Sequence, residues 1–300
     1  MNGAEMERHL YITIDTEMDA DPHWNKPYPP AFTSVTEGIP QFLRPIWDKY
    51  NAHPVYFVSY EVLQDEKACQ VLQQEAKKGA IIGAHLHPEY VLDEESIKTG
   101  KGSDQFPCYD CDRETEKEKL RALTEKITEV IGVRPTWYRA ARFGADLETI
   151  SILKELGYQY DCSVTPDINW KSKGGPDHSA GPHQPYYISD TDYYQKADKE
   201  NTIKEIPVTI EGKRWGIFGK ILPENWLFYK WLRPTNMFLY EQKALIRKYK
   251  KEDWDLEMMF HSMEIMINKS PYVRNRFMQR YYLYRLDKTI GYAVKNGYQC

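Results

Sequence analysis

Residues 10–17 of the chain read LYITIDTE, an apolar, β-branched run that ends in two acids, Asp15 and Glu17. The apolar part has the composition of a buried strand. Because side chains alternate along a strand, Asp15 and Glu17 share one face, roughly 6.5–7 Å apart. Burying paired carboxylates costs free energy, and this cost is typical of a metal site or a reaction centre. A solvated turn at the strand end is the alternative for this stretch taken alone.

Strand-like and helix-like patterns alternate along the rest of the sequence. We predict strands over 55–60, 80–87, 136–142, 158–164, 205–210 and 256–262, and helices over 34–50, 65–78, 112–131, 145–156, 235–249 and 272–294. Ser34 or Thr36 is the expected cap of the first helix, which Pro40 and Pro45 make irregular. The alternation predicts a parallel sheet, either open or closed into a barrel. After the last helix the chain stops at Cys300, so a final strand is either missing or vestigial.

The composition excludes several classes of protein. A net charge of −4 argues against non-specific binding to nucleic acid or to an anionic membrane. The motifs G-x-G-x-x-G and G-x-x-x-x-G-K-[ST] are absent, which removes the main support for a nucleotide-binding fold. No apolar run reaches the length of a membrane helix, and the first residues show no apolar signal core.

Five scattered cysteines do not form a disulfide framework, so we expect a reducing, cytoplasmic location. The spacing of Cys108 and Cys111 suits a zinc knuckle, but no second pair accompanies them.

Chemistry-bearing side chains lie at the ends of four predicted strands: Asp15 and Glu17, His85 and His87, Arg139 and Arg142, and His261. In a parallel α/β fold, functional sites form where the carboxyl ends of the strands meet the loops. The i, i+2 spacing of His85 and His87 puts both imidazoles on one face. Two histidines and one carboxylate with an open position suit Zn²⁺ or another divalent metal that activates water.

These motifs resemble those of the polysaccharide deacetylases with a NodB-homology domain (carbohydrate esterase family 4), and the resemblance covers most of the chain. It implies a distorted (β/α) barrel of about seven parallel strands, formed by residues 1–300 as a single catalytic domain. The motifs that carry it are TIDTE (13–17), GAHLHPE (83–89), YRAARFG (138–144), YDCSV (160–164) and FHS (260–262).

The resemblance also implies roles for individual residues. Asp15 would be the general base, Arg139 would orient it, and His261 would be the general acid. Glu17, His85 and His87 would bind a divalent metal, with Zn²⁺ the expected ion.

In this sequence Thr16 separates two acids that are adjacent in the usual first motif, and Glu89 replaces the second histidine of the usual H-x-x-x-H motif. Glu89 is therefore an alternative ligand to His87, since Zn²⁺ accepts carboxylates. Candidate substrate-binding residues are Arg142, Asp161 and Trp24.

The expected activity is metal-dependent removal of acetyl groups from an amino sugar or polysaccharide, by hydrolysis of a C–N amide bond. The expected partner is a carbohydrate or another small acetylated substrate. Two alternatives remain: hydrolysis of a non-sugar C–N bond on the same barrel, or an inactive barrel that binds glycans. Aromatic residues make up 14% of the chain, and flat rings stack well on sugars. The aromatic candidates for a sugar groove are Trp24, Tyr90, Trp170, Tyr186 and Trp215.

Overall fold

A curved, mostly parallel sheet organises the computed structural model, which describes residues 7–99, 106–198, 203–214 and 228–300. Seven strands pair in parallel in the order β10-β1-β2-β3-β4-β5-β7. They are β1 (Arg8–Thr16), β2 (Val55–Val58), β3 (Ile81–Leu86), β4 (Trp137–Ala140), β5 (Tyr160–Asp161), β7 (Lys204–Glu205) and β10 (Leu256–His261). The prediction of a distorted barrel of about seven parallel strands is confirmed.

Residues 10–16 of the LYITIDTE stretch lie in β1, the second strand in this order. β1 lies between β10 and β2 and pairs with both in parallel. Leu10, Ile12 and Ile14 are fully buried in the main hydrophobic core between the sheet and the helices. The alternate residues Thr13 and Asp15 face the inside of the barrel, where they contact buried polar side chains. β1 is thus covered on both faces, as strands of parallel sheets are.

Helices cover the outside of the sheet. They are α1 (Arg44–Tyr50), α2 (Glu66–Lys77), α3 (Glu94–Thr99), α4 (Pro107–Asp110), α5 (Arg113–Ile131), α6 (Leu147–Glu155), α7 (Leu239–Lys251) and α8 (Arg276–Lys295). The helix predicted over 34–50 is two segments, a π-helix (Ser34–Leu43) that contains Pro40, followed by α1. Neither Ser34 nor Thr36 caps it, because the π-helix begins after Thr33 without a side-chain cap.

Irregular backbone closes the barrel between β5 and β10. Of the strand predicted over 205–210, only β7 (Lys204–Glu205) has regular strand structure. The residues that follow it still form backbone hydrogen bonds to the segment after β5 and to β10. Val208 N–H donates to Val164 O, and Thr209 N–H donates to Glu257 O on β10. An antiparallel hairpin, β8 (Ile210–Lys213) and β9 (Tyr229–Trp231), follows this closure, and β6 (Tyr186–Tyr187) pairs antiparallel with β7.

The chain ends in a vestigial strand. β11 (Tyr298–Gln299) pairs in parallel with the first residues of β1, so the final strand is present but only two residues long. Within the described part of the chain, no helix combines the length and the hydrophobicity that crossing a bilayer requires.

Candidate active site

The strand register brings the predicted residues together at one rim of the barrel. Asp15 on β1 is the direct neighbour of His261 on β10, and His85 on β3 is the direct neighbour of Arg139 on β4. Glu17 follows β1 and His87 follows β3, so both project from the same rim. All of these side chains except that of His261 are buried, and His261 is partly exposed.

One group of side chains has the geometry of a metal site. Ligand atoms of Glu17, His85 and His87 all lie within 4.8 Å of one another, and this is the one such group of three found among the described residues. Glu17 Oε1 lies 3.3 Å from Nε2 of His85 and 3.3 Å from Nε2 of His87. Cys108 and Cys111 do not belong to such a group.

The second nitrogen of each histidine is held by a hydrogen-bond acceptor. His85 Nδ1–H donates to the carbonyl oxygen of Arg139 at 2.9 Å, and His87 Nδ1–H donates to Glu89 Oε1 at 3.0 Å. These bonds hold both rings with Nε2 directed at Glu17, which is the usual orientation of metal-binding histidines. Glu89 contacts His87 from the other side of the ring and does not converge with the three ligand atoms.

The donor set fits a divalent cation. His87 Nε2 is buried and has no hydrogen-bond partner, although Glu17 Oε1 lies close to it. Burial opposes protonation of His87, but the carboxylates of Glu17 and Glu89 raise its pKa to about 10. Burial also works against ionisation of Glu17, yet Lys26 and His87 hold its pKa well below the ordinary value. The site therefore favours positive charge between these side chains, and metal binding would displace the proton of His87.

Lys26, from the loop after β1, binds the oxygen of Glu17 that faces away from the histidines. Its Nζ lies 3.1 Å from Glu17 Oε2 and 3.2 Å from the carbonyl oxygen of Met18. This contact fixes the carboxylate with only Oε1 directed at His85 and His87. Glu17 therefore offers a single oxygen atom on the side of the two histidines.

Asp15 is held by a buried ion-pair network. Arg139 donates from Nη1 to Asp15 Oδ1 at 2.8 Å and from Nη2 to Glu257 Oε1 at 2.5 Å, and Thr13 also donates to Glu257. Burial by itself would raise the pKa of Asp15, but Arg139, with His85 and His261, lowers it below the ordinary value. Asp15 is therefore ionised at neutral pH, with Oδ1 engaged and Oδ2 directed at His261, 3.8 Å from its Nε2.

His261 is positioned by a second buried ion pair. Its Nδ1 lies 3.0 Å from Glu264 Oε1 and 2.9 Å from Nη2 of Arg233, which is itself paired with Glu264. Burial disfavours the Glu264 carboxylate, but Arg233 and His261 lower its pKa to about 2. Nε2 of His261 is left facing the rim, 3.7 Å from Glu17 Oε1.

A cleft of about 790 Å³ opens above these residues. Of the aromatic candidates, Trp24, Tyr90 and Trp170 line this cleft, and Trp231 and Tyr272 also line it. Tyr186 instead lies in the hydrophobic core, and Trp215 is outside the described residues.

The three substrate-binding candidates have different outcomes. Trp24 lines the cleft 5.8 Å from the ring of His261, and Arg142 lines it while contacting Glu89. Asp161 is fully buried below the cleft, where Ser163 and Tyr193 donate hydrogen bonds to it. Its assignment as a substrate-binding residue is therefore wrong in the described structure, because its carboxyl oxygens are directed into the protein.

Sequence reasoning missed Lys26, Arg233, Glu257 and Glu264. Two of the four carry a readable signal: Glu257 interrupts an apolar strand on the same face as His261, and Glu264 follows His261 at the spacing of one helical turn. Lys26 and Arg233 lie in loops without a periodic pattern, so only the folded chain places them.

Solved structures share the architecture of this chain. A Mycobacterium smegmatis protein described as a polysaccharide deacetylase matches with a TM-score of 0.53 and 15% identity, over 99% of this chain and 91% of the other. The allantoinase PuuE matches with a TM-score of 0.52 and 14% identity, over 96% of this chain and 84% of the other. The chain has the polysaccharide-deacetylase fold. No protein-family model matches the chain, and no curated protein matches it in sequence.

The candidate site lies at the carboxyl ends of the parallel strands. This position is the usual one for active sites on barrels of parallel strands. At such low identity the likeness establishes the fold, while the chemistry has to be argued from the side chains of this chain.

Proposed function

We propose that residues 1–300 form a single catalytic domain, a metal-dependent hydrolase that removes acetyl groups from an amino sugar or polysaccharide. The observation that carries this proposal is the position of Asp15 and His261. Their facing atoms, Oδ2 and Nε2, lie 3.8 Å apart beside the group of Glu17, His85 and His87. A carboxylate and an imidazole at this position suit acid–base hydrolysis of an amide.

Glu17, His85 and His87 would hold the metal, for which we propose Zn²⁺, through one carboxylate oxygen and two Nε2 atoms. Carboxylate and imidazole are ordinary Zn²⁺ ligands, and three protein ligands leave a position open for water or substrate. When bound, the ion would supply Lewis-acid polarisation of the acetyl carbonyl and a lower pKa for water.

Asp15 and His261 would move the protons. Asp15 Oδ2 would accept a proton from the attacking water, while Arg139 keeps Oδ1 fixed and the carboxylate ionised. His261, held at Nδ1 by Glu264, would deliver a proton from Nε2 to the leaving amine. The C–N bond then breaks to give acetate and a free amine. Because Asp15 and His261 belong to neighbouring strands, little movement is needed between the two proton transfers.

The walls of the cleft support a carbohydrate substrate. Trp24, Trp170, Trp231 and Tyr272 present aromatic rings around the metal group, and such rings stack on the apolar faces of sugars. We place the protein in the cytoplasm, because the five cysteines are unpaired, as a reducing compartment requires. A non-sugar amide or ureide is the second candidate substrate, since the allantoinase PuuE shares the fold.

The test combines metal analysis with two assays on purified protein. Acetate release from N-acetylated sugar oligomers tests the first proposal, and hydrolysis of cyclic ureides tests the second. Asp15→Asn and His261→Ala should each lose at least about 10²-fold in turnover while retaining the metal, because neither side chain belongs to the ligand group. Full activity in both variants would refute the assigned roles. Sugar binding without bound metal or turnover would instead identify an inactive glycan-binding barrel.

A further inference from the structure

Helices α7 and α8 carry many basic residues, and the groove between them shares no lining residue with the cleft of the candidate active site. Each of these helices carries five Lys or Arg residues against one acid, so the pair has a net charge of +8. The whole chain has a net charge of −4, which leaves −12 for the remainder. The overall charge therefore conceals two strongly basic helices.

The two helices pack in parallel. Arg285 donates to Met237 O, Thr289 donates to Gln242, and Lys250 donates to Asn296, so residue numbers rise together along both helices. Parallel packing places the amino-terminal halves of the helices side by side, and likewise their carboxyl-terminal halves. The exposed aromatic residues of the two helices therefore lie near one another, and so do several of their lysines.

The amino-terminal halves form an exposed aromatic patch. Phe277, Tyr281 and Tyr284 follow one stripe of α8 and are 77%, 40% and 50% exposed. Phe238 and Tyr240, at the start of α7, are 51% and 69% exposed, with ring centroids 6.0 Å apart. The Arg285 guanidinium joins the two sets, because it lies 4.7 Å from the centroid of the Tyr281 ring and donates to Met237 O.

A basic groove lies along the carboxyl-terminal half of α8 and is bordered by Lys243 of α7 and Tyr50 of α1. Lys243, Lys288 and Lys295 line one shallow groove of about 620 Å³ between the helices. Lys288 and Lys295 continue the stripe of Phe277, Tyr281 and Tyr284, because the successive steps are four, three, four and seven residues. The aromatic patch and the basic groove therefore belong to one face, roughly 27 Å long from residue 277 to residue 295 at the rise of an α-helix.

We propose that this face docks on an anionic membrane surface. Lysine and arginine attract anionic headgroups, while exposed Phe and Tyr rings insert at the boundary between headgroups and acyl chains. A small soluble anion would use the lysines but would leave Phe277, the most exposed of the α8 aromatics, without a role. The combination of exposed aromatic rings and lysines along one extended stripe of α8 favours a lipid surface over a soluble polyanion.

The test is sedimentation of the full chain with vesicles at low ionic strength. Phosphatidylcholine vesicles that contain phosphatidylglycerol should bind the protein, and vesicles of pure phosphatidylcholine should not. Lys288→Gln with Lys295→Gln should weaken binding by about 25-fold, because each lysine near a charged bilayer contributes about fivefold. Added salt should weaken binding in the same direction. The matched control is Lys67→Gln with Lys77→Gln, which removes the same charge from exposed positions of α2 and should leave binding unchanged.

A second variant separates a membrane from a soluble polyanion. Phe277→Ser with Tyr281→Ser should weaken binding to anionic vesicles and leave binding to soluble polyphosphate unchanged. Failure of the wild-type protein to sediment with anionic vesicles would overturn the proposal without reliance on any variant. Equal loss in the α2 control, or tight binding to polyphosphate with none to vesicles, would overturn it as well.

Discussion

Arg139 is the residue whose replacement tests the buried network most directly. Its side chain is fully buried, and it neutralises the carboxylates of Asp15 and Glu257, which are 3% and 1% exposed. Arg139→Met keeps most of the packing against Phe57 but leaves two buried carboxylates without a cation. Breaking a buried pair in this way costs about 3–5 kcal/mol, a large part of a typical total stability of about 5–15 kcal/mol.

A second substitution should recover part of the loss. Glu257→Gln in the Arg139→Met background removes one of the two unpaired charges and keeps an oxygen acceptor for Thr13. We expect it to restore about half of the stability, roughly 2 kcal/mol. Turnover should not return, because Asp15 would still lack the guanidinium that orients it. Stability and activity are thereby separated in the same pair of variants.

The first assay is urea unfolding, in which a shift of the midpoint at constant m-value reports a change in the free energy of unfolding. The second assay is turnover of the proposed substrate. Arg44→Met is the matched control, since it breaks the buried Arg44–Glu75 pair outside the cleft. It should lower stability and spare turnover in the molecules that remain folded. The reasoning is refuted if Arg139→Met is as stable as the wild type, or if Glu257→Gln brings no recovery.

Three further predictions concern single residues. Glu89→Gln should weaken Zn²⁺ binding by about 10–100-fold in a chelator competition, because His87 loses a charged acceptor; unchanged affinity would contradict that role. Glu264→Gln should lower turnover by roughly 10²-fold through His261, with metal affinity unchanged as the control measurement. Burial lowers the pKa of His178 to about 4, below its unfolded value of about 6.5. The unfolded chain therefore binds more protons between these values, and stability should fall by about 3 kcal/mol as pH drops through that window. Denaturant midpoints of His178→Gln should fall less steeply; equal slopes would exclude this contribution.

The sequence predicts most of the fold and of the candidate site. The apolar run before Asp15, the alternation of strands and helices and the histidines after the third strand are local patterns. In a parallel sheet the residues at the ends of these strands come together, since the carboxyl ends of neighbouring strands meet at one rim. Asp15, Glu17, His85, His87, Arg139 and His261 were found in this way.

What the sequence alone could not decide depends on contacts between distant segments. Glu89 and His87 are two residues apart, but only the direction of the His87 ring assigns Glu89 to Nδ1. Asp161 is directed into the protein, because its partner on β4 is Tyr138, which faces the hydrophobic core, and not Arg139, which faces the site.

The face formed by α7 and α8 also depends on contacts between segments that are distant in sequence. A chain with a net charge of −4 appears unsuited to anionic partners until parallel packing gathers the basic residues of two helices. Local pattern determined which residues lie at strand ends and along helix stripes. The tertiary structure decided which of them meet, because register and helix direction are set by packing across the whole chain.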